Sequence, residues 1–486
     1  MTIKKILSGL AVSLLILVAV VLVRTLMFSP VERPVESFES VEVDAERVST
    51  HLSQAVQFQT ISHQNPELRD DAQFQGFIDW MAQTYPEVHQ QLTLTKFNDY
   101  TLLYQWQGSD PELEPILLSG HYDVVPVLPG TESDWQHPPF AGVVADDYIW
   151  GRGALDDKSA VIGLMEAVTL LIKQGHAPMR TILIAATHDE EVGSDHGASA
   201  IVDWLKAQNI RPLWSLDEGS FVLNGLIPGV SEPVASINVA EKGYLNLRLS
   251  VESEGGHSSM PKGYTAVGVL ARAIDRLQSH PIPSGMAGVS GDMFDHLAPH
   301  MPFLHRMLFA NKWLFAPLID QQLSESAAGN AMMRTTIAPT MFSGSVKANI
   351  LPIHATAVVN FRLHPKDTIE SVVGHVQHVI NDERVNIEVM RGDNASNVSN
   401  AKGVGFERIA SVSQHVHGPV VVTPGLTIAA TDSRRYQNVV QDSYRFNPMS
   451  IHKEDAAGFH GTNERLSIDN MVKATEFYFL LIQTAQ

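Results

Sequence analysis

The chain has 486 residues, 44% hydrophobic and 18% charged, too long for one ordinary core and too apolar for a disordered chain. Two globular domains, or one with a large insertion, are expected. The balance of 34 basic against 53 acidic residues gives a net charge of −19, with no Lys/Arg cluster beyond the first few residues. That excludes the basic face on which nucleic-acid binding depends. With no cysteine, disulfides, thiolate nucleophiles, iron–sulfur clusters and cysteine-held zinc are excluded together, so any metal must sit on His, Asp and Glu.

Behind Lys4 and Lys5, an uncharged apolar run extends from Ile6 to Val23. As a helix it is about 27 Å long, near the hydrocarbon thickness of a bilayer. The following Val23-Arg24-Thr25-Leu26 lacks an A-x-A cleavage pattern, so residues 6–28 read as an uncleaved membrane anchor. The lysines and the amino group, against Arg24 alone, place the N-terminus in the cytoplasm and the body outside it. A cleaved segment would instead give a secreted protein. Residues 29–47 carry Glu32, Glu36, Glu39, Glu42, Asp44 and Glu46 with Pro30 and Pro34, against Arg33 and Arg47, and read as an acidic tether.

From Val48 onward, apolar runs suited to buried strands (Ile116–Ser119, Thr181–Ala186) alternate with helical patterns (Ala160–Lys173, Ala198–Gln208). This predicts an α/β sheet with parallel strands. At Glu241 the texture changes. Tyr244–Val251 alternates like a half-exposed strand, Ala266–Leu277 is a helix, and Ala355–Leu363, Thr368–Ile380 and Val385–Val389 repeat strand, helix, strand. The order predicts a ferredoxin-like βαββαβ unit over 241–392, inserted between catalytic parts at 48–240 and 393–486. Residues 281–334, rich in Met, Phe, Leu, Trp313 and Pro, read either as a helical insertion over an apolar cleft or as extra packing. The chain closes in an amphipathic helix, Ile468–Ile482.

Ionisable residues gather where these strands end, the place where open α/β sheets bind ligands. ILLSGHYDVVP puts His121 and Asp123 after the first strand; in GRGALDDK, Asp156, Asp157 and Lys158 open a helix. TILIAAT runs into His188-Asp189-Glu190-Glu191, WSLDEGS adds Asp217 and Glu218, and GFHGTNERL offers His460. Any one of these is explained by a solvated loop or a helix dipole. Five at strand ends point to metal or proton chemistry, because burying such groups is otherwise costly. Histidines and carboxylates without thiolate suit a pair of zinc-type ions sharing a carboxylate and a water, the equipment of a hydrolase.

Taken in order, SGHYDVVP, GRGALDDK, Glu190-Glu191, LDEGS, GGHSSMP and FHGTNERL resemble the dizinc aminoacylase and carboxypeptidase family, which includes acetylornithine deacetylase, succinyl-diaminopimelate desuccinylase and glutamate carboxypeptidase. The anchor and the insertion at 281–334 most resemble the carboxypeptidase S and N-fatty-acyl-amino-acid hydrolase branch. The resemblance implies a mixed-sheet catalytic domain under a lid, and two zinc ions, replaceable by cobalt, on His121, Asp156, Glu191, Asp217 and His460. Asp156 would bridge the ions and Glu218 is the alternative to Asp217. It makes Asp123 the residue that orients His121, Glu190 the general base, and His257 on the lid the group that polarises the scissile carbonyl, supplied by a second copy in dimeric members. Arg434, in ATDSRRY, and Asn349, in KANILP, would bind the substrate carboxylate. The implied activity is hydrolysis of the amide joining an acyl or peptidyl group to a C-terminal amino acid, on small peptides or N-acyl amino acids. The rival expectation is an inactive protein that only captures acylated amino acids.

Overall fold

The computed structural model describes residues 2–31, 33, 36–261 and 263–485; Glu32 and Pro34 of the tether lie outside them. Continuous apolar runs produce strands buried on both faces. Ile116–His121 and Ile182–Thr187 are fully buried and pair in parallel, with His121 opposite Thr187, and Trp214–Asp217 flanks the first on its other side, also parallel. Alternate side chains divide between the faces. Ile116, Leu118, Ile182 and Ile184 pack in one core with the helices Ala45–Val56, Lys158–Lys173 and Ile468–Gln483, while Leu117 and Leu183 meet Ile201, Val202 and Leu205 of the helix Ala198–Ala207.

The sheet has ten strands and is mixed. Antiparallel Thr93–Phe97 and Thr101–Trp106 close one edge, and Asp442–Arg445 and Val234–Glu241 extend it beyond Trp214–Asp217. Because the three central strands are parallel, His121, the turn after Thr187 and Asp217-Glu218 all emerge at one rim.

A second, antiparallel sheet has the order Thr336–Ser343, His354–Leu363, Gly243–Glu252, Val385–Asp393. Its inward residues Leu245, Leu247, Leu249 and Val251 are buried beneath the helices Ala266–Ser279 and Ile369–Ile380 in a core separate from that of the large sheet. Both helices start at a threonine cap: Thr265 accepts from Gly268 N and Thr368 from Ser371 N. The chain therefore runs strand, helix, strand, strand, helix, strand through this lid. The strand Thr336–Ser343 has no clear sequence signal, since it lies at an edge, is mostly exposed and is interrupted by a bulge after Pro339.

Residues between the first lid helix and that edge strand form four helices, Val289–Leu297, Phe303–Ala310, Lys312–Ser324 and Ala327–Met333. Met293, Phe294, Leu297, Leu308, Phe309 and Ile319 form a third apolar cluster against Val230, Val234 and Val421 of the large domain's edge. At the N-terminus, Thr2–Met27 is one helix, and the most apolar 18 residues within its stretch Lys5–Met27 have mean hydropathy 3.0 and are almost wholly exposed. It has the length and composition of a membrane-crossing helix or a signal sequence.

Candidate metal centre

The rim of the central strands brings together two trios of donor atoms that share Asp156: His121, Asp156 and Glu218, and Asp156, Glu191 and His460. Asp156 directs one oxygen to each histidine, Oδ1 lying 3.0 Å from His121 Nε2 and Oδ2 3.2 Å from His460 Nε2. Glu218 Oε1 is 3.6 Å from His121 Nε2, and Glu191 Oε2 is 3.2 Å from His460 Nε2.

This geometry depends on a framework of buried contacts. His121 Nδ1 faces the Asp123 carbonyl at 3.0 Å and its carboxylate at 3.4 Å, so Nε2 is the nitrogen turned to the cluster. The same Asp123 carboxylate accepts the backbone N–H groups of Glu190 and Glu191, both at 3.2 Å. One buried side chain thus orients an imidazole and pins the turn that carries two glutamates. Gly193 closes that turn in the left-handed region at φ 117°. Asp156 sits in a loop organised by Glu464, whose Oε1 accepts from Gly153 N, Leu155 N and Asp156 N, while Oε2 pairs with Arg152 at 2.6 Å. Asp157, joined to Asp156 by a cis peptide bond, points elsewhere and accepts from Asn447 at 3.0 Å.

The electrostatics show a site short of positive charge. Burial, then the negative charge of Glu218, raises Glu190 well above the usual carboxylate range; burial and Asp156 raise Glu191 and push Glu218 up to about 8. Hydrogen bonds to Asp156 and Glu191 hold His460 up to about 10. Glu191 Oε1 is buried without a hydrogen-bond partner. Crowded carboxylates, two inward imidazole nitrogens and an orphaned buried oxygen fit divalent cations with nitrogen and oxygen ligands.

Not every expected residue joins this cluster. Glu218, and not Asp217, stands beside His121 and Asp156. Asp217 ends its strand buried, with Oδ2 accepting the backbone N–H of Ser433 at 2.8 Å, so it anchors the loop before Arg434. Adjacent strand-end residues point to opposite faces, and the one beyond the strand reaches the cluster. His188 turns away into the body, its Nδ1 2.6 Å from Thr101 Oγ1, with burial lowering its pKa to about 4. Arg434 donates from Nε to Glu241 Oε1 at 2.8 Å, and Glu241 is buried with Arg445 and Thr431 on its other oxygen. His257 and Asn349 are not members of either trio. They are exposed on a two-stranded lid ribbon where Ser258 N donates to Asn349 O, and His257 Nδ1 bonds Ser259 Oγ at 2.8 Å. The supporting residues Glu464, Glu241 and Asn447 carry no signal of these contacts in sequence, although Glu464 stands in the same motif as His460.

Residues 117–484 match the profile of peptidase family M20/M25/M40. The chain belongs to that family. Over 99% of its length it is 37% identical to the N-fatty-acyl-amino acid synthase/hydrolase PM20D1 of Xenopus tropicalis, covering 94% of that protein. A probable carboxypeptidase S-like 2 of Dictyostelium discoideum is also 37% identical, over 100% of this chain and 94% of the relative, and carboxypeptidase S of Saccharomyces cerevisiae is 28% identical over 88% and 82%. Among solved structures, the metallo-carboxypeptidase Sso-CP2 of Sulfolobus solfataricus shares the fold with TM-score 0.64 at 18% identity, covering 91% of this chain and 99% of that one. This M20 chain is thus a metallopeptidase or amidohydrolase with a mixed central sheet and a separate antiparallel lid sheet.

Proposed function

We propose that the chain is a membrane-tethered dizinc hydrolase that releases a C-terminal amino acid from an N-acyl or peptidyl group. The observation that carries this reading is the placement of Asp156 between two trios of ligands with Glu190 on the adjoining turn. Zinc ions held by His121, Asp156 and Glu218, and by Asp156, Glu191 and His460, would supply Lewis-acid polarisation of the scissile carbonyl and a more acidic water.

The protein groups handle protons and position. Glu190 takes a proton from the attacking water and delivers it to the amine nitrogen as the C–N bond breaks and the C–O bond forms. Its burial, with the negative charge of Glu218 nearby, raises its pKa well above the usual carboxylate range, which makes it a stronger proton acceptor once ionised. Arg434 is tethered through Nε by Glu241 and has Asp393 4.0 Å from Nη1, and its outer guanidinium edge is the part that would take the substrate carboxylate. The lid, read as residues 241–392, brings His257 and the neighbouring Asn349 over the substrate from the same chain or a second copy. Residues 6–28 are read as a retained anchor that holds the body outside the cytoplasm.

Similarity to PM20D1 proteins over almost the whole chain favours N-fatty-acyl amino acids as substrates. A series from N-acetyl to long-chain N-acyl amino acids, run beside dipeptides with and without chelator, tests this. Burial of the acyl chain contributes about 0.8 kcal/mol per methylene, so catalytic efficiency should climb steeply with chain length. A flat profile, with dipeptides cleaved equally well, rejects the acyl preference.

A further inference from the structure

The insertion and the N-terminal helix meet at a polar clamp. Asn311, fully buried between Phe303–Ala310 and Lys312–Ser324, donates from Nδ2 to Val21 O at 3.2 Å, with Thr25 Oγ1 at 3.3 Å and Met307 O at 2.9 Å. Arg24 Nε donates to Ala310 O at 3.2 Å. Along the apolar helix up to Met27, Val21 and Thr25 are buried among the described side chains, so this contact fixes the helix against the body.

Depth along the helix follows from its rise. Lys5–Met27 spans 23 residues, about 35 Å, against a hydrocarbon layer of about 30 Å. Val21 lies about 9 Å inside the Met27 end. Even with the whole overhang of about 5 Å on that side, Val21 stays about 4 Å within the hydrocarbon. Whatever is clamped to Val21 must share that depth. The surface around the clamp has the required character: Phe303, Leu304, Trp313, Leu314 and Leu318 are exposed, Leu304 at 61% and Trp313 at 58%. Tryptophan among aliphatic residues is typical of the membrane interface, and side-chain hydrogen bonds between helices satisfy a polar residue held there.

We infer that the helical pair Phe303–Ala310 and Lys312–Ser324 is an interfacial docking element, its exposed apolar face sunk into the lipid leaflet that surrounds the Met27 end of the N-terminal helix. It rests on the reading of that helix as a retained anchor. The partner is the boundary between acyl chains and headgroups of a bilayer, continuous with the surface the helix presents. An enzyme seated this way rides on the membrane and does not swing free on the acidic tether.

The full-length chain, free of native cysteine, permits single labelled positions. Val12→Cys, Leu304→Cys and Val346→Cys, each carrying an environment-sensitive fluorophore, would be reconstituted in phosphatidylcholine–phosphatidylglycerol vesicles with doxyl-labelled lipid, shallow-labelled to report on 304 and 346 and deep-labelled to report on 12, which lies near the bilayer midplane. Val346, 99% exposed on the lid, is the aqueous reference. The expected result is blue-shifted emission at 304 and quenching at least threefold stronger than at 346. Quenching at 12 with emission at 304 matching 346 overturns the docking while keeping the anchor. Quenching at 304 without quenching at 12 rejects the anchor and with it the docking beside that helix, and quenching at neither rejects both.

Discussion

Glu464 and Asp156 are coupled through the backbone: the Glu464 carboxylate accepts the Asp156 N–H at 3.1 Å, together with those of Gly153 and Leu155. The C-terminal motif therefore supplies a candidate ligand, His460, and also the brace for Asp156, the residue shared by both trios. Glu464→Ala would strip this brace and leave Arg152, 3% exposed, without its counter-charge. Breaking such a buried pair costs about 3–5 kcal/mol. Thermal unfolding should show a large fall in Tm and metal analysis a parallel loss, with Glu464→Gln intermediate because it keeps an acceptor oxygen.

Three neighbouring acids should separate by phenotype. Glu190→Gln should lower turnover by about 10² to 10⁴ with metal content unchanged. Glu218→Gln should lower metal content. Asp217→Asn should keep the metal and raise KM, since Asp217 holds Ser433, the residue before Arg434. Metal loss in the Asp217 variant with full occupancy in the Glu218 variant would reverse the two assignments.

The contrast between Asp217 and Glu218 marks the limit of what was legible in the sequence. Ionisable residues after His121, Thr187 and Leu216 revealed a site because buried apolar strands point their ends to one rim. Which of two adjacent acids turns toward it depends on where the strand pleat stops, and that is set by pairing with Asp442–Arg445. The lid's buried alternation at Leu245, Leu247 and Leu249 was likewise readable, while its edge strand Thr336–Ser343, with Pro339 and little burial, was not. Glu241 under Arg434 and Glu464 under Asp156 act across long sequence separations that carry no local pattern.

Metal uptake should be proton-linked. In the metal-free fold His460 is held up to about 10 by Asp156 and Glu191, and Glu218 is raised to about 8 by burial and Asp156. Both groups hold protons near neutral pH, and ligation must displace them. Calorimetry in buffers of different ionisation enthalpy should show protons released on binding, with apparent affinity rising from about pH 6 toward pH 8. Proton-independent binding would mean that neither group is a ligand.

Arg434→Ala should weaken every substrate alike, because the role proposed for it is to hold the carboxylate they share. Loss of a charged hydrogen-bonding partner worth about 1.5–3 kcal/mol corresponds to about 10- to 150-fold in KM. A chain-length series on the variant should run parallel to that of the wild type. Convergence of the two series at long acyl chains would place Arg434 away from the carboxylate.

The most direct measurement is titration of zinc into metal-stripped protein while hydrolysis of an N-acyl amino acid is followed, with Glu190→Gln in parallel. Activity should be absent at the start and reach its maximum at two equivalents per chain. The variant should take up the same two equivalents and stay nearly inactive. Full activity in the stripped protein, or undiminished turnover in Glu190→Gln, would contradict the assignment.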